Sequence, residues 1–161
     1  MRIGVVSDTH VPSLYRTIPD ELWRVLEGCE RVIHAGDFDG WETYETFRQR
    51  FPLTAVIGNR DAFEESSQVP TKQVIQVGTF KIGITHGWGP KKGLPERVFQ
   101  SWEDGPVDLI VFGHSHKPGV HTIDGCRLLN PGSPTDTITA ERQTYAILEI
   151  GESIEISIHD I

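Results

Sequence analysis

Cysteine is scarce in this chain, and its scarcity bears on the compartment in which the protein works. Cys29 and Cys126 are the only cysteines among 161 residues, and neither belongs to a Cys-x-x-Cys pair. A disulfide framework is therefore not expected, and we predict the reducing environment of the cytoplasm. Because Met1-Arg2 runs directly into the strand-like segment Ile3–Val6, we also expect no signal peptide.

Long apolar runs and long basic runs are missing as well. No apolar stretch approaches the roughly 20 residues that a membrane-spanning helix needs, so we expect no membrane contact. Fifteen Lys and Arg residues stand against 23 Asp and Glu residues, a formal charge of −8, and the longest basic run is Lys91-Lys92. Most of such a surface repels a phosphate backbone, so binding to nucleic acid is not expected. The sequence leaves open whether the protein forms a homo-oligomer.

Apolar and turn-forming residues are plentiful. Hydrophobic residues make up 37% of the chain, and there are 16 glycines and 10 prolines. A chain of 161 residues has the size of one domain and can bury a hydrophobic core. No repeat, linker or charge block divides it, so we predict one domain over residues 1–161 with many tight turns.

The first third of the chain alternates strand and helix patterns. Short apolar runs predict buried strands at residues 3–6, 31–34 and 53–57. Segments with helical spacing of large residues lie between them, at 19–27 and 41–51. This β-α-β-α-β order predicts parallel strands, whose carboxyl ends form a ligand-binding edge.

Hairpin patterns dominate the rest of the chain. Two hairpins with Gly-Thr and Asp-Gly turns are predicted, at residues 73–77 with 80–84 and at 121–123 with 126–129. A short helix is expected near 95–102 and a strand at 109–112. The alternating segments 144–150 and 153–158 predict antiparallel strands at the edge of a sheet. A purely parallel sheet therefore does not account for the chain.

Five polar clusters follow predicted strands or lie in loops, and they contain four of the seven histidines. The clusters are Asp8-Thr9-His10, Gly36-Asp37, Gly58-Asn59, His86-Gly87 and Gly113-His114-Ser115-His116. Carboxylate and imidazole groups bind divalent first-row metals, and the glycines let neighbouring loops turn sharply and converge. A single Asp-x-His would more often be a helix cap beside a surface residue. Seven donors together exceed what one hydrated ion needs, so the set predicts two ions that share a carboxylate.

The ordered pattern D-x-H, G-D, G-N, H, G-H-x-H resembles that of the calcineurin-like metallophosphoesterases. Every element is present in order from Asp8 to His116. The opening residues 7–10 and the stretch 130–133 look like those of the small phosphodiesterases of bacteria and archaea. The resemblance implies an α/β fold of the α+β kind: a four-layer αββα sandwich in which helices flank two mixed β-sheets, with the site at their carboxyl edge.

The resemblance also implies a role for each donor. The first ion would take Asp8, His10 and His116, the second Asn59, His86 and His114, with Asp37 between them. Of these, Asp37, Asn59 and His114 are also assigned to the catalytic group, together with Arg60. Manganese is the first choice of metal, with iron, nickel, cobalt, zinc and magnesium as alternatives. The implied reaction is attack of a metal-bridging hydroxide on a small phosphodiester, or on a phosphomonoester.

A scaffold or regulatory protein of the same fold is the rival hypothesis. Proteins of this fold that act as adaptors usually lack some of the ligand residues, and all seven are present here. Arg60 is one departure from the pattern, because many family members have His directly after Gly-Asn. A guanidinium binds phosphate oxygens, but its pKa above about 12 prevents proton donation near neutral pH. We expect Arg60 to bind phosphate; the alternatives are a solvent-facing side chain or an ion pair with Asp61.

Other polar residues have simpler interpretations. His34 is expected to be buried and bonded to backbone, with support of the site as the alternative. His121 and His159 are assigned to the surface. The stretch 130–134 is either a turn or a wall of the site, and the loop 87–93 is either a mobile cover or a solvated loop.

Overall fold

Ten β-strands and three α-helices make up the structure, a computed structural model that describes all 161 residues. The strands are β1 (Arg2–Val6), β2 (Arg31–His34), β3 (Leu53–Ala55), β4 (Lys72–Val77), β5 (Phe80–Thr85), β6 (Leu109–Val111), β7 (Gly119–Ile123), β8 (Cys126–Asn130), β9 (Thr144–Ile150) and β10 (Ile154–Asp160). The helices are α1 (Asp20–Leu26), α2 (Trp41–Arg50) and α3 (Leu94–Gln100), and a short 3-10 helix spans Glu64–Gln68.

The strands form two sheets of five, and each sheet is mixed. The first has the order β10-β9-β1-β2-β3 and the second has the order β4-β5-β6-β8-β7. Strands β1, β2 and β3 are parallel, as are β5, β6 and β8. The remaining strands pair antiparallel at the flanks. Both parallel cores point their carboxyl ends at the same edge of the molecule, where the predicted ligand loops begin.

The period-2 alternation of the strands separates three hydrophobic cores. In β1, Ile3 and Val5 face the second sheet and join a core of 15 buried residues between the sheets, whereas Val6 faces outward. Helices α1 and α2 cover that outer face with side chains such as Leu22. Helix α3 covers the second sheet, where Val98 packs in one cluster with the residues of β6 and β8. The four-layer αββα sandwich is therefore confirmed.

Local sequence explains where the helices begin and how closely they pack. Helix α1 follows Pro19 and has two acidic residues in its first turn and Arg24 in its last, which suits the helix dipole. A side chain at Gly4 would collide with Leu26 of α1, so glycine lets the helix lie directly on β1. Helix α2 ends before Pro52, since the residue preceding a proline avoids helical geometry.

Two predictions about strands need correction. The prediction that both late strands lie at an edge is wrong for β9, which pairs with β1 on one side and β10 on the other. Six of the seven residues of β9 are buried. The sequence did not show this, because the exposed Glu149 gives the segment an alternating pattern of apolar and polar residues. Strand β3 ends at Ala55, and the amide of Ile57 donates to the carbonyl of Pro70 instead of a strand partner. None of the helices combines the length and the apolar character needed to cross a bilayer.

Candidate metal centre

Loops that follow five strands converge at one edge of the sandwich, and both sheets contribute to the site. The predicted ligands lie after β1 (Asp8, His10), β2 (Asp37), β3 (Asn59), β5 (His86) and β6 (His114, His116). The structure brings all seven into one connected cluster. Asp8, His10, Asp37 and His86 are buried, whereas Asn59 is exposed.

Two carboxylates occupy the middle of the cluster, and imidazoles face them. Asp8 Oδ1 lies 3.5 Å from His116 Nε2 and 3.9 Å from the Nε2 atoms of His10 and His86. Asp37 Oδ2 lies 3.3 Å from His86 Nε2 and 3.7 Å from His10 Nε2. Two groups of donors are close enough to share an ion: Asp8, His10 and His116, and Asp8, Asp37 and His86. Asp8 belongs to both groups, and Asp37 contacts an imidazole from each.

His10 and His116 point the same nitrogen at the centre. Their Nε2 atoms are 3.0 Å apart, while His10 Nδ1 faces Asp39 at 2.9 Å and His116 Nδ1 faces Asp136 at 2.6 Å. Each carboxylate accepts the Nδ1 proton, which leaves a neutral ring with its Nε2 lone pair aimed inward. Two Nε2 atoms this close need either a shared proton or a cation beside them. Histidines that bind metals are held by carboxylates in this way.

His86 supplies the clearest sign that the cluster suits a cation. Its Nδ1 donates to the carbonyl of Ala35 at 2.7 Å, and its Nε2 is the one buried side-chain nitrogen or oxygen without a hydrogen-bond partner. Asp37 lies 3.3 Å from that nitrogen but outside hydrogen-bonding geometry. Burial lowers the pKa of His86, but Asp37 and Asp8 outweigh it and raise the pKa to about 9. The same carboxylates would favour a metal cation in place of that proton.

The pKa values of Asp8 and His116 also favour the charged form of each group. Burial raises the pKa of Asp8, but His116 at 3.5 Å and the charges of His86 and His116 outweigh it and lower the pKa to about 2. Burial lowers the pKa of His116, and Asp8 and Asp136 reverse the effect, so the pKa is raised overall. The centre therefore holds carboxylates that stay ionised and binds positive charge.

Asn59 and His114 form a more exposed pair at the rim of the centre. His114 Nε2 lies 2.8 Å from the carbonyl of Gly89, and its Nδ1 lies 2.9 Å from Asn59 Oδ1. A neutral imidazole has one N–H group, and donation to Gly89 leaves a lone pair on Nδ1. That lone pair and the amide oxygen of Asn59 then converge, as two ligands of one ion would.

The backbone of the site is strained where the donors lie. Seven residues other than glycine have positive φ angles, and six of them are in the site: Asp8 (56°), His10 (49°), Asp37 (60°), Asp39 (73°), His114 (70°) and His116 (57°). The seventh, Asp124, is in the β7–β8 turn. Left-handed geometry costs roughly 1–2 kcal/mol for an ordinary residue, although Asp and His tolerate it better than most. Such strain concentrates at functional sites.

Two glycines make room for the central carboxylates. A side chain at Gly58 would overlap the carboxylate of Asp37, and one at Gly113 would come within 2.7 Å of Asp8 Oδ2. Both glycines belong to the predicted clusters. Their role is to permit close approach to the carboxylates, because neither has a positive φ angle.

Comparison with known proteins places this site in a family. Residues 1–153 match the family model described as the calcineurin-like phosphoesterase superfamily domain. The chain belongs to this family. It is 27% identical to a probable metallophosphoesterase of Methanothermobacter thermautotrophicus, over 98% of this chain and 91% of the relative.

Solved structures agree with the assignment. An archaeal phosphodiesterase superposes with a TM-score of 0.76 at 26% identity, over 100% of both chains. The Vps29 protein of Entamoeba histolytica, solved in complex with Zn²⁺, superposes with a TM-score of 0.75 at 27% identity, over 99% of both chains. Divalent metal ions are the cofactors of this family, and the donors of the cluster described above fit them.

Three carboxylates that support this metallophosphoesterase site were missed in the sequence. Asp61 accepts hydrogen bonds from the amides of Gly58 at 2.7 Å and of Asp37 and Asp39 at 2.9 Å each, so it joins the two loops that carry Asp37 and Asn59. Its burial raises its pKa. The only sequence signal is its place two residues after Asn59. Asp39 is the second of the three, and it likewise lies two residues after a predicted ligand.

Asp136 is the third, and it lies 20 residues beyond its histidine. It accepts hydrogen bonds from Tyr15 Oη at 2.7 Å and from the amide of Thr139 at 2.8 Å, besides facing His116. Burial raises its pKa, but these hydrogen bonds outweigh that effect and hold the pKa well below the usual range. Asp136 therefore stays charged and keeps the Nδ1 proton of His116 in place.

Arg60 lies at the rim, and its ion pair differs from the expected alternative. Its Nε is 3.4 Å from Asp39 Oδ2, and its amide donates to Asp37 Oδ1 at 2.9 Å. An ion pair with Asp61 is excluded because Asp61 is turned inward onto backbone amides. The side chain of Arg60 is 45% exposed, so the guanidinium is within reach of an incoming anion.

The remaining polar segments take the places that follow from their chemistry. His34 is fully buried, accepts from the amide of Gly36 and contacts the hydroxyl of Thr9, as expected for a histidine bonded to backbone. The stretch 130–134 packs on the site, where Ser133 Oγ donates to the carbonyl of Asp8 at 2.8 Å.

Two further expectations concern the surface. Arg97 of α3 ties down the loop 87–93 by donating to the carbonyl of Trp88 at 2.8 Å. His121 and His159 are exposed, as predicted.

Proposed function

We propose that this protein is a hydrolase of phosphodiesters, with phosphomonoesters as a second substrate class, and that it works with two divalent ions. The observation that carries the proposal is the shared orientation of three imidazole rings. His10, His86 and His116 each use Nδ1 for a carboxylate or a carbonyl and direct Nε2 at Asp8 and Asp37. Histidines that bind a metal ion adopt this orientation, with one ring nitrogen held by the protein and the other facing the ion.

The proposed ligand sets combine the donor groups with the family pattern, in which Asp37 rather than Asp8 is shared. Asp8, His10 and His116 would hold the first ion, and Asn59, His86 and His114 the second, with Asp37 shared. Manganese is the proposed metal, since mixed nitrogen and oxygen ligands suit it and several other first-row ions. When bound, the two ions would supply Lewis acids for the phosphate oxygens and an ionised water as nucleophile.

The chain's own residues prepare and orient the site. Asp39 and Asp136 keep the protons of His10 and His116 on Nδ1, and Asp61 fixes the loop that presents Asp37. Arg60 adds a positive charge for the non-reacting phosphate oxygens, but it has no proton to give near neutral pH. The residues of the site therefore favour substrates whose leaving group departs without protonation by Arg60.

The test combines elemental analysis with hydrolysis. Purified protein is loaded with manganese, its metal content is measured, and its activity is assayed on aryl phosphate monoesters and diesters. We expect bound metal, activity on diesters above that on monoesters, and loss of activity on chelation. Metal-loaded protein that hydrolyses neither class would contradict the proposal. Asp37→Asn is the matched inactive variant and His159→Gln is the matched active one, because His159 is exposed on β10 and outside the centre.

A scaffold or regulatory protein of the same fold is the second candidate. The likeness to Vps29, whose name marks it as a vacuolar protein sorting protein, favours it. The same assay distinguishes the two candidates, since a scaffold would bind metal and fold without turning over any ester.

A further inference from the structure

A basic pocket adjoins the candidate metal centre on the side of His116. Its volume of about 580 Å³ falls within the roughly 300–1,000 Å³ typical of small-molecule sites, and His116 is part of its lining. Six charged side chains line it: Lys91, Lys92, Lys117, Arg142, Glu96 and Glu141. Four of them are basic and two acidic, a formal balance of +2 in a chain whose total is −8.

The lysines of this pocket are concentrated and unpaired. The chain contains five lysines, and Lys91, Lys92 and Lys117 are three of them. No carboxylate lies within ion-pair distance of these three, whereas Arg142 pairs with Asp160 at 2.9 Å. Three like charges close together in an acidic protein repel one another, and an anionic ligand would relieve that repulsion.

The lysines lie on the loops that carry the candidate ligands. Lys91 and Lys92 belong to the connection from β5 to α3, which begins at His86, and Lys117 directly follows His116. An anion held by these side chains would therefore lie next to a phosphate held at the centre. Leu94 and Phe112 form a buried apolar floor of the pocket, and the three lysines are exposed around it.

We propose that this pocket binds a second phosphate group of the substrate. The preferred diester then carries a further phosphate besides the one that is cleaved. This inference rests on the proposed function, because it assigns the pocket to the substrate of the same site. It concerns residues that hold no metal and touch no reacting atom, and its effect should fall mainly on KM.

Two aryl diesters with the same leaving group test the proposal. Thymidine 5′-(p-nitrophenyl phosphate) and its 3′-phosphorylated derivative are compared on the manganese-loaded protein. We expect kcat/KM to be roughly tenfold higher for the 3′-phosphorylated diester, the effect of one charge-assisted contact. Equal values for the two diesters would overturn the proposal.

A binding measurement keeps the inference separate from the proposed activity. Calorimetry compares thymidine 3′,5′-bisphosphate with thymidine 5′-monophosphate on the same protein, whether or not it hydrolyses esters. A roughly tenfold tighter Kd for the bisphosphate supports the basic pocket even if the hydrolase proposal fails. Equal affinities overturn the pocket proposal even if diesters are hydrolysed.

Charge-neutral variants identify the residues. Lys91→Gln/Lys92→Gln and Lys117→Gln should each reduce the preference for the second phosphate and leave kcat/KM for the unphosphorylated diester unchanged. The matched control is Arg24→Gln/Lys81→Gln, which removes two exposed positive charges outside the pocket. If the control reduces the preference as much as the pocket variants do, overall charge is the cause and the proposal is wrong.

Discussion

The two sides of the candidate metal centre differ in how firmly the protein holds the donors. On the first side, His10 and His116 are fixed by Asp39 and Asp136, which are themselves held by other hydrogen bonds. On the second side, Asn59 is exposed and His114 leans on a loop carbonyl. No carboxylate accepts a ring proton from a histidine on that side.

This difference predicts which of the two ions binds more tightly. A carboxylate on Nδ1 raises the basicity of the imidazole and fixes its orientation, so less conformational entropy is lost on binding. We therefore expect a tight first site and a weaker second site. Because Asp37 touches imidazoles from both sides, it should couple the two affinities.

The largest expected effect comes from the shared carboxylate. Asp37→Asn should weaken both ions together and reduce kcat more than about a hundredfold, because the removed charge faces donors of both sites. His10→Ala should chiefly weaken the first ion. Calorimetric titration of each variant with manganese measures both affinities. Two ions bound to Asp37→Asn with unchanged affinity would refute the shared role.

A smaller effect is expected from the supporting carboxylates. Asp39→Asn and Asp136→Asn should each reduce the affinity of the first ion about 10- to 100-fold and leave the second site nearly unchanged. The asymmetry between the sites should then disappear. The exposed Asp124, which has positive φ but lies in the β7–β8 turn, supplies the control Asp124→Asn. If that control weakened metal binding as much, the support assigned to Asp39 and Asp136 would be unfounded.

The pH dependence of stability should differ between the metal-free protein and the metal-loaded one. His86 has an ordinary pKa of 6.5 that is raised to about 9 in the folded chain, so its protonation stabilises the fold below pH 6.5, and this stability is lost as the pH rises through about 9. The loss is at most about 3.5 kcal/mol, since each pH unit between the two values is worth about 1.4 kcal/mol. A metal ligand must be neutral, so the loaded protein should not show this loss.

Urea unfolding at pH 6 and pH 9.5, with chelator and with manganese, measures the difference. His86→Gln should reduce the pH-dependent loss in the metal-free protein to the part that His116 contributes, and His121→Gln should retain it in full. A metal-free wild type whose stability is flat between these pH values would contradict the charge assigned to His86.

The donors that the fold brings together could be predicted from the sequence, and the carboxylates that support them could not. Asp8, Asp37 and His116 belong to an ordered pattern in which residue type and spacing point to one chemistry. Asp61 and Asp136 are ordinary carboxylates whose roles depend on partners that only the fold brings close: Asp136 meets a tyrosine 121 positions away. Local spacing carries no information on such contacts.

The fold shows the same limit. The β-α-β-α-β start and the hairpins follow from periodicity, which depends on neighbouring residues. The insertion of β9 between β1 and β10 depends on a pairing across almost the whole chain, with Arg2 opposite Glu149. An alternating strand with one exposed residue has the same sequence pattern at the edge of a sheet as inside it.

The smallest expected effect concerns the rim of the second site. Arg60 offers no proton, so the rate should depend steeply on leaving-group pKa, and aryl diesters should be cleaved faster than alkyl diesters. Arg60→His should flatten that dependence and raise KM, because an imidazole can donate a proton but binds phosphate less strongly. Rates across a series of substituted aryl diesters measure the slope.

Two outcomes together would contradict this role of Arg60. They are equal rates for aryl and alkyl diesters in the wild type and an unchanged slope in Arg60→His. Arg60→Lys is the matched control, since it keeps the charge without offering a proton donor in the neutral range.

The central claim, a two-ion centre with one firmly held and one loosely held side, is tested most directly by calorimetric titration of the metal-free protein with manganese. Two ions per chain are expected, bound with affinities that differ by about tenfold or more, and Asp136→Asn should weaken the tighter one about 10- to 100-fold. A single ion per chain, or two ions of equal affinity that Asp136→Asn leaves unchanged, would contradict it.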